Sequence, residues 1–374
     1  MAEAVINSEA LKENLKKFQE LSGCEVIAVV KANAYGHGAV DSSRAFLEAG
    51  AKMLAVAAVE EAVELRQAGI RAPVLLLCAL LPEEISGVFE NQITPTITDL
   101  QMARRLAKEA ERRKEKLAVH IKLDTGLGRI GFPSVGEEEA KETAAAIEEM
   151  MGLGGIKIEG IYTHFAVFSA KDKSFSLGQV ARFKEVLALL PAGGDHILYR
   201  HIASSGAVLN IPGSFKAPFN LIRPGLGLYG LYYRRSRHTV PLVPALRLSS
   251  RIVFLKTLPP ERSVSYGRRY TTTRHTRVAT VAIGYADGYR CGLIGKAQVK
   301  VRGKFCPVIG SVCMDQIMVD VSEVLDVKIG DEVVVYSDER EAPNSIENIA
   351  RMLDTVPNEV TCAIGRRVKR TYRP

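Results

Sequence analysis

The stretch VIAVVKANAYGHG, Val26 to Gly38, is an unbroken apolar run that stops on a lysine and then loosens into Asn, Tyr, Gly and His. A run with no polar face suits a strand covered on both sides, as in a parallel sheet. The Asn and Gly residues after Lys31 mark its end. Before it stands LKENLKKFQELSG, which reads as a helix leading into the strand. Working outward, similar runs recur as MLAVA from Met53, PVLLL from Pro73, ITPTI from Ile93, AVHIKLD from Ala118, IEGIYTHF from Ile158, ILYRHIAS from Ile197 and LIRPGLGLYG from Leu221. Between them lie pieces with apolar residues at helical spacing, such as VEEAVELRQAG and TDLQMARRLAKEAERRKEK. Doubly wound open sheets alternate in this way too, but this many regular units in roughly two hundred residues favour a closed (β/α)8 barrel of the TIM type.

After Tyr233 the texture changes. RIVFLKTL, SVSYG, RVATVAIGYADG, AQVKVRGKFCPVIG, QIMVDV and DEVVVYS read as strands between Gly, Pro and Asp turns, with scarcely any helical pattern. The fold class expected is α/β, with the (β/α)8 barrel over residues 11–235 and a mostly β C-terminal domain over 236–374. Residues 1–10 are free to join the latter. The boundary is placed in RRSRHTVPLVP, 234–244, where basic residues and prolines cluster.

The composition excludes several classes. At 374 residues, 47% hydrophobic and 25% charged, the chain is ordinary for a globular protein. Lys and Arg exceed Asp and Glu by 50 to 42, but they are scattered apart from Arg234, Arg235, Arg237 and the tail Arg366, Arg367, Lys369, Arg370. No basic stripe interleaved with aromatics accompanies the excess, so it reads as a solvated surface rather than a nucleic-acid interface, and leaves room for an anionic ligand. The six cysteines lie far apart without a CxxC pair, which points to reduced thiols, with neither a metal site nor a disulfide framework. MAEAVINSEALKENL has no apolar core of a leader, and no apolar run approaches a bilayer span. A cytoplasmic protein is expected.

In such a barrel the chemistry gathers where strands end at the C-terminal face. The polar residues there are Lys31, Lys122 with Asp124 and Arg129, His164, Ser204 and Ser205, and Arg223. Taken singly, each has a plain structural role: Lys31 can snorkel, His164 can be a satisfied core histidine, the serines can cap a helix. Their joint occurrence carries the functional reading. A lysine at a partly apolar strand end is desolvated, which favours the neutral amine that forms Schiff bases. HIASSGAVLN puts two hydroxyls at a helix start, and RPGLGLYG supplies amides at Gly225 and Gly227, in the two loops that usually cradle phosphate in this barrel. A phosphate beside an imine-forming lysine points to pyridoxal 5′-phosphate (PLP), with Tyr35 within reach of the same phosphate.

Over essentially its whole length the sequence resembles the alanine racemase family. The resemblance rests on VVKANAYGHG, HIKLDTGLGRIGF, GIYTHFA, HIASSGA, RPGLGLYG, VSYG, IGYADGY, GSVCMDQ and VTCAIGRRV. It implies PLP-dependent interconversion of L-alanine and D-alanine. Lys31 and Tyr266 would be the two bases, on opposite faces of the substrate–cofactor Schiff base, because inversion through a planar carbanion needs a group on each face. A free phenol titrates near roughly 10, so Tyr266 needs positive or hydrogen-bonding neighbours, a role that falls to His164 and Arg223. Cofactor contacts would come from Lys31, Tyr35, Arg129, His164, Ser205, Arg223, Gly225, Leu226 and Arg366. Arg223 would face the pyridine nitrogen without protonating it, which weakens the electron sink and disfavours transamination.

The resemblance further implies that Arg129 binds the substrate carboxylate and that Lys122 is a carbamylation site. It also implies a head-to-tail homodimer in which Tyr285, Met314 and Asp315, with Tyr266, complete the partner's site. The sequence departs from the family pattern in three places. Arg366 stands where a tyrosine is common, Cys291 and Ser311 where arginines are frequent, and ASSGA where an Asn-Ser pair is usual. Serine or a broader range of small amino acids is therefore an alternative substrate class. A decarboxylase on the same plan is a further alternative, but those enzymes place a carboxylate where Arg223 stands. A noncatalytic PLP carrier would need neither Tyr266 nor the β domain.

Overall fold

The computed structural model describes residues 2–233 and 240–374. The expected boundary at 235/236 and the cluster Arg234, Arg235, Arg237 lie outside the described residues. The chain divides into two compact units, Lys12–Ala34 with Ser42–Leu228, and Met1–Leu11 with Tyr35–Asp41 and Tyr229–Pro374.

The strand β1 (Glu3–Asn7) belongs to the second unit. The first unit contains β2 (Glu25–Val29), β3 (Met53–Val56), β4 (Val74–Leu76), β5 (Thr96–Ile97), β6 (Leu117–Asp124), the short β7 (Phe132–Pro133), β8 (Ile156–Tyr162), β9 (Tyr199–His201) and β10 (Leu221–Ile222). Each apolar run read from the sequence yields one strand. They pair in parallel as β10-β2-β3-β4 and β5-β6-β8-β9, with β7 alongside β6. Parallel bridges Leu75–Thr94 and Ser204–Arg223 join the two sheets at both seams, so the ring closes as a barrel. Two strands are short for a stated reason. Pro95 cannot donate to the ladder before Thr96, and Pro224 stops the strand after Arg223.

The strands are buried on both faces: Ile27, Leu54, Leu75 and Ile121 are fully covered. The helices between them bury one stripe. In Leu100–Arg113 that stripe is Met102, Ala103, Leu106, Ala107 and Ala110, and Asp99 caps the start by accepting the Met102 N–H at 2.8 Å. Gly160 on β8 is small because a Cβ there would lie 2.5 Å from the ring of His120 on β6.

The second unit is built on β1 with β11 (Leu246–Leu258), β12 (Ser263–Val264), β13 (Tyr270–Thr271), β14 (Thr276–Val281), β15 (Gln298–Val301), β16 (Lys304–Ile309), β17 (Ile317–Asp320), β18 (Glu332–Tyr336) and β19 (Lys369–Arg373). The sheet runs β14-β17-β16-β15-β18-β11-β1-β19. The first part of β11 pairs with β1 and β18 and its second part with β14, across an irregularity between Ile252 and Phe254. That one long strand closes the sheet on itself. Contrary to the near absence of helix read from the sequence, helices Ile346–Met352 and Pro357–Cys362 follow β18. Both are under two turns long, too short for a 3.6-residue period to show.

Residues 35–41 are held within this unit by its C-terminal strand. Tyr372 Oη donates to the His37 carbonyl at 2.7 Å, and Arg370 Nε to that of Gly36 at 3.2 Å. Gly36 has φ +84°, and a Cβ there would lie 2.0 Å from the Thr361 carbonyl oxygen, so only glycine fits. Among the described residues no helix is long and apolar enough to cross a membrane.

Candidate active site

The candidates fall into two sets, one on each unit. In the barrel, Lys31 lies just past β2 and is half-buried. The chain then makes a left-handed turn, with φ of 53°, 53° and 52° at Ala32, Asn33 and Ala34. Left-handed backbone costs non-glycine residues about 1–2 kcal/mol each, so the turn needs support. Glu61 provides it, accepting the Ala32 N–H at 2.6 Å and the Ala57 N–H at 2.8 Å.

Asp124 ends β6. Its Oδ1 accepts the N–H groups of Gly126, Leu127 and Gly128, and its Oδ2 that of Arg129. Burial acts to raise its carboxyl, but the four N–H groups outweigh it and hold the acid below its usual range. The carboxylate thereby shapes the loop that presents the exposed Arg129. Lys122 on β6 is fully buried, with Nζ donating to the Leu123 carbonyl at 2.6 Å. Burial, then Arg223 and Arg129, push its ammonium down to about 7 against the opposing pull of Asp124.

Arg223, directly after β10, is the hub. Its Nη1 donates to His201 Nδ1 at 2.6 Å and to the His201 carbonyl at 3.0 Å, and its Nη2 to the Thr163 carbonyl at 2.7 Å. Nη2 also approaches His164 Nδ1 at 3.3 Å, and the guanidinium lies over the Tyr162 ring, 4.7 Å from its centroid. Burial lowers Arg223 to about 10, which still leaves it charged at neutral pH. Since Arg223 has only hydrogens to give, His201 Nδ1 accepts, His201 Nε2 carries the proton, and His120 Nδ1 accepts it at 2.9 Å. Burial, with Arg223 as the main charge, holds His120 at about 3 and His201 well below the usual range. His164 is likewise held well down by burial and then by Arg223, Arg129, Lys122 and Lys31. It is therefore a neutral hydrogen-bonding group.

The loops after β9 and β10 interlock. Ser205 Oγ accepts the N–H of Gly225 at 2.8 Å and that of Gly227 at 3.0 Å. In this structure both glycine amides therefore point to the Ser205 hydroxyl. That hydroxyl ties the loop after β9 to the loop after β10, the two loops suited to phosphate in this barrel. Ser204 starts the helix Ser205–Asn210 without a side-chain cap.

The second set lies on the β unit. Tyr266 sits at the tip of the β12–β13 hairpin and is 75% exposed. Ser265 before it has φ 66° and ψ −175°, a region otherwise restricted to glycine that costs about 1–3 kcal/mol. Ser265 Oγ donates to the Ser311 carbonyl at 2.8 Å, and Ser311 Oγ donates back to the Tyr266 carbonyl at 2.7 Å. The Met314 and Tyr285 loops are joined by Tyr285 N–H to the Cys313 carbonyl and Ala286 N–H to the Met314 carbonyl, both 3.0 Å. Arg367 pairs with Asp287 at 2.6 Å and with Asp315 at 2.7 Å. Arg366 beside it is exposed. Tyr35 stacks on Tyr229 with ring centroids 5.0 Å apart, and burial raises its phenol strongly. Arg290 pairs with Glu359 at 3.3 Å.

The barrel set fits PLP. Arg223 is a buried hydrogen-bond donor that stays charged, suited to an uncharged ring nitrogen, and Ser205 stands in the loops suited to phosphate. The model of the alanine racemase N-terminal domain matches residues 6–233, and that of the alanine racemase C-terminal domain matches residues 245–372. The chain belongs to the alanine racemase family.

Members of the alanine racemase family are similar to it from end to end. The alanine racemase of Desulforamulus reducens is 42% identical over 373 residues, covering 99% of this chain and 98% of the relative. The solved structure of the Clostridium difficile 630 alanine racemase matches with a TM-score of 0.91 at 36% identity, covering 100% of this chain and 95% of the other. That of the Bartonella henselae alanine racemase, which carries covalently bound pyridoxal phosphate, matches at 0.86 and 28%, covering 100% and 99%. The fold is accordingly the TIM-type barrel plus β domain of the alanine racemase family, whose members are PLP-dependent isomerases.

Sequence reasoning gave no site role to Glu61, His120, His201, Asp287 or Arg367, the last named only within a basic cluster. For His120 there was a signal: a lone polar residue inside AVHIKLD at an interior position of a buried strand. Nothing comparable marks Glu61, which acts on a turn far from it in sequence.

Proposed function

We propose that this chain interconverts L-alanine and D-alanine, with Lys31 and Tyr266 as the two proton-carrying groups. The observation that carries the reading is the Tyr266 hairpin: a phenol 75% exposed on strained backbone, tethered at both ends. Surface tyrosines have no need of such a mounting. When bound, PLP supplies a carbonyl carbon that condenses with amines and a ring that withdraws electrons from the substrate's Cα. Lys31 would hold it, Ser205, Gly225, Leu226, Tyr35 and Arg366 would take its phosphate, and Arg223 would hydrogen-bond its ring nitrogen. A guanidinium that stays charged donates its hydrogen bond without giving up the proton, which limits electron withdrawal and keeps the reaction to proton exchange. The same residue weighs against a decarboxylase. Arg129 would bind the substrate carboxylate and His164, neutral, would hydrogen-bond.

Tyr266, Tyr285 and Met314 leave 75%, 45% and 53% of their surfaces open on the β unit. That exposure supports a head-to-tail homodimer in the cytoplasm, in which a second copy would cover them and the sites would be shared. Lys122 supports carbamylation: its neutral amine attacks the carbon of CO2, an N–C bond forms, one proton leaves to solvent, and the resulting anion relieves the repulsion by Arg129 and Arg223. Because the amine titrates at about 7, the neutral form predominates above that pH and is lost below it. Protein equilibrated with 13C-bicarbonate is expected to show a carbamate carbon resonance at pH 8 that fades by pH 6 and is absent in Lys122→Met. No resonance at any pH would remove this assignment.

The activity itself is tested by circular dichroism over alanine, serine and larger amino acids. Alanine is expected to turn over fastest. Equal or faster serine turnover would move the assignment to the broader class, in which Arg366, Cys291 and Ser311 would be the responsible departures. No turnover of any enantiomer by the PLP-loaded protein would sink the reading.

A further inference from the structure

We propose that the Ser265–Ser311 hydroxyl pair is a positioning device that aims the Tyr266 phenol, and that Ser311 is a determinant of Tyr266-side proton transfer. The inference rests on the reading of Tyr266 as one of the two bases. Three observations meet at this point. Ser265 adopts φ 66°, ψ −175°, a conformation that an L-residue keeps only where its surroundings over-determine it. The surroundings here are a reciprocal clasp. Ser265 Oγ gives its hydrogen to the Ser311 carbonyl at 2.8 Å, and Ser311 Oγ gives its own to the Tyr266 carbonyl at 2.7 Å. Cys313 Sγ lies 3.3 Å from Ser265 Oγ and closes the third side. Finally, the two backbones touch. Gly310 has φ +70°, and a Cβ on it would meet the Val264 carbonyl oxygen at 2.7 Å and Ser265 Cβ at 2.9 Å.

The phenol itself is open to solvent, so nothing along its own ring fixes it within the unit. Its direction is set at the backbone, by the residue before it and by its own carbonyl. Two hydroxyls of the same loop pair hold those two points. Ser311 is largely buried, at 8% exposure, so its hydroxyl serves the clasp and not the solvent. Releasing either bond lets Ser265 relax toward ordinary extended backbone and swings the phenol off its line. Proton transfer is steeply sensitive to such misplacement, and only the face served by Tyr266 is affected. Lys31 stands on the other unit's strand end and is untouched.

The test is exchange of the α-hydrogen of each alanine enantiomer with D2O, followed by proton NMR on the PLP-loaded protein. In Ser311→Ala and in Ser265→Ala, exchange of the enantiomer whose hydrogen faces Tyr266 is expected to slow about tenfold, the rate equivalent of one neutral hydrogen bond. Exchange of the other enantiomer stays within about twofold, and cofactor absorbance is retained. Ser311→Thr, which keeps the donor, restores most of the loss. Equal slowing of both enantiomers, or no slowing in either serine variant while Tyr266→Phe slows one, overturns the positioning role. If Tyr266→Phe itself leaves both exchange rates unchanged, the assignment of Tyr266 falls and the inference with it.

Discussion

A Lys31→Ala protein is expected to lose racemisation by about four orders of magnitude or more, because the substitution removes both the covalent anchor of PLP and a proton carrier. The fold should survive. Lys31 is half-buried, lies beyond β2 and makes none of the barrel's ladder bonds, so circular dichroism and the unfolding midpoint of the cofactor-free protein should change little. PLP added to the variant should bind only through the remaining noncovalent contacts, such as Ser205, Leu226 and Arg223. Borohydride treatment, which fixes the cofactor to the amine of the unaltered protein and leaves one pyridoxyl-labelled peptide containing Lys31, should leave the variant unlabelled after dialysis. Labelling at another lysine, or activity within tenfold of the unaltered enzyme, would show that the amine at position 31 is not the reactive one.

Tyr266→Phe gives the second large effect, and the measurement must respect thermodynamics. The two enantiomers are equal in energy, so kcat/KM must fall by the same factor in both directions of racemisation whatever the residue does. The asymmetry appears one step earlier, in exchange of the α-hydrogen with solvent. Without the phenol, the enantiomer facing Lys31 should continue to take up deuterium from D2O with retention of configuration. The other enantiomer's exchange, and racemisation, should fall by about 10²–10⁴. A symmetrical loss of both exchange rates would mean that one group serves both faces or that the phenol has a purely structural part. The tip carrying Tyr266 is exposed, so unfolding is not the expected cause of any loss.

The barrel was legible because buried parallel strands must be apolar throughout, and the chain repeats VIAVV, MLAVA and PVLLL at the spacing of strand–helix units. The strand ends that carry Lys31, Lys122, His164 and Arg223 were legible for the complementary reason: a charged or polar residue where an apolar run stops. What pattern reading could not reach are contacts made across the fold. The protonation of His164 depends on its burial and on four cations, Arg223, Arg129, Lys122 and Lys31, that come from three separate strand ends. The Gly225 and Gly227 amides look free in RPGLGLYG, and only the placement of the preceding loop shows Ser205 consuming them. Pairings such as Arg367 with Asp287 and Asp315 join segments far apart in the chain. The helices at 346–362 escaped because each spans fewer than two turns, too few for the 3.6-residue period to repeat.

The hold of Tyr372 and Arg370 on the carbonyls of His37 and Gly36 has a consequence for the order of events at the ribosome. The guanidinium that grips Gly36 is synthesised 334 residues after it. Until that last strand has been made and has zipped against β1, the bend downstream of Lys31 lacks this part of its hold, however complete the barrel strands already are. Vitamin capture by the nascent chain should therefore await near-complete translation, and chains stalled short of residue 370 should emerge colourless.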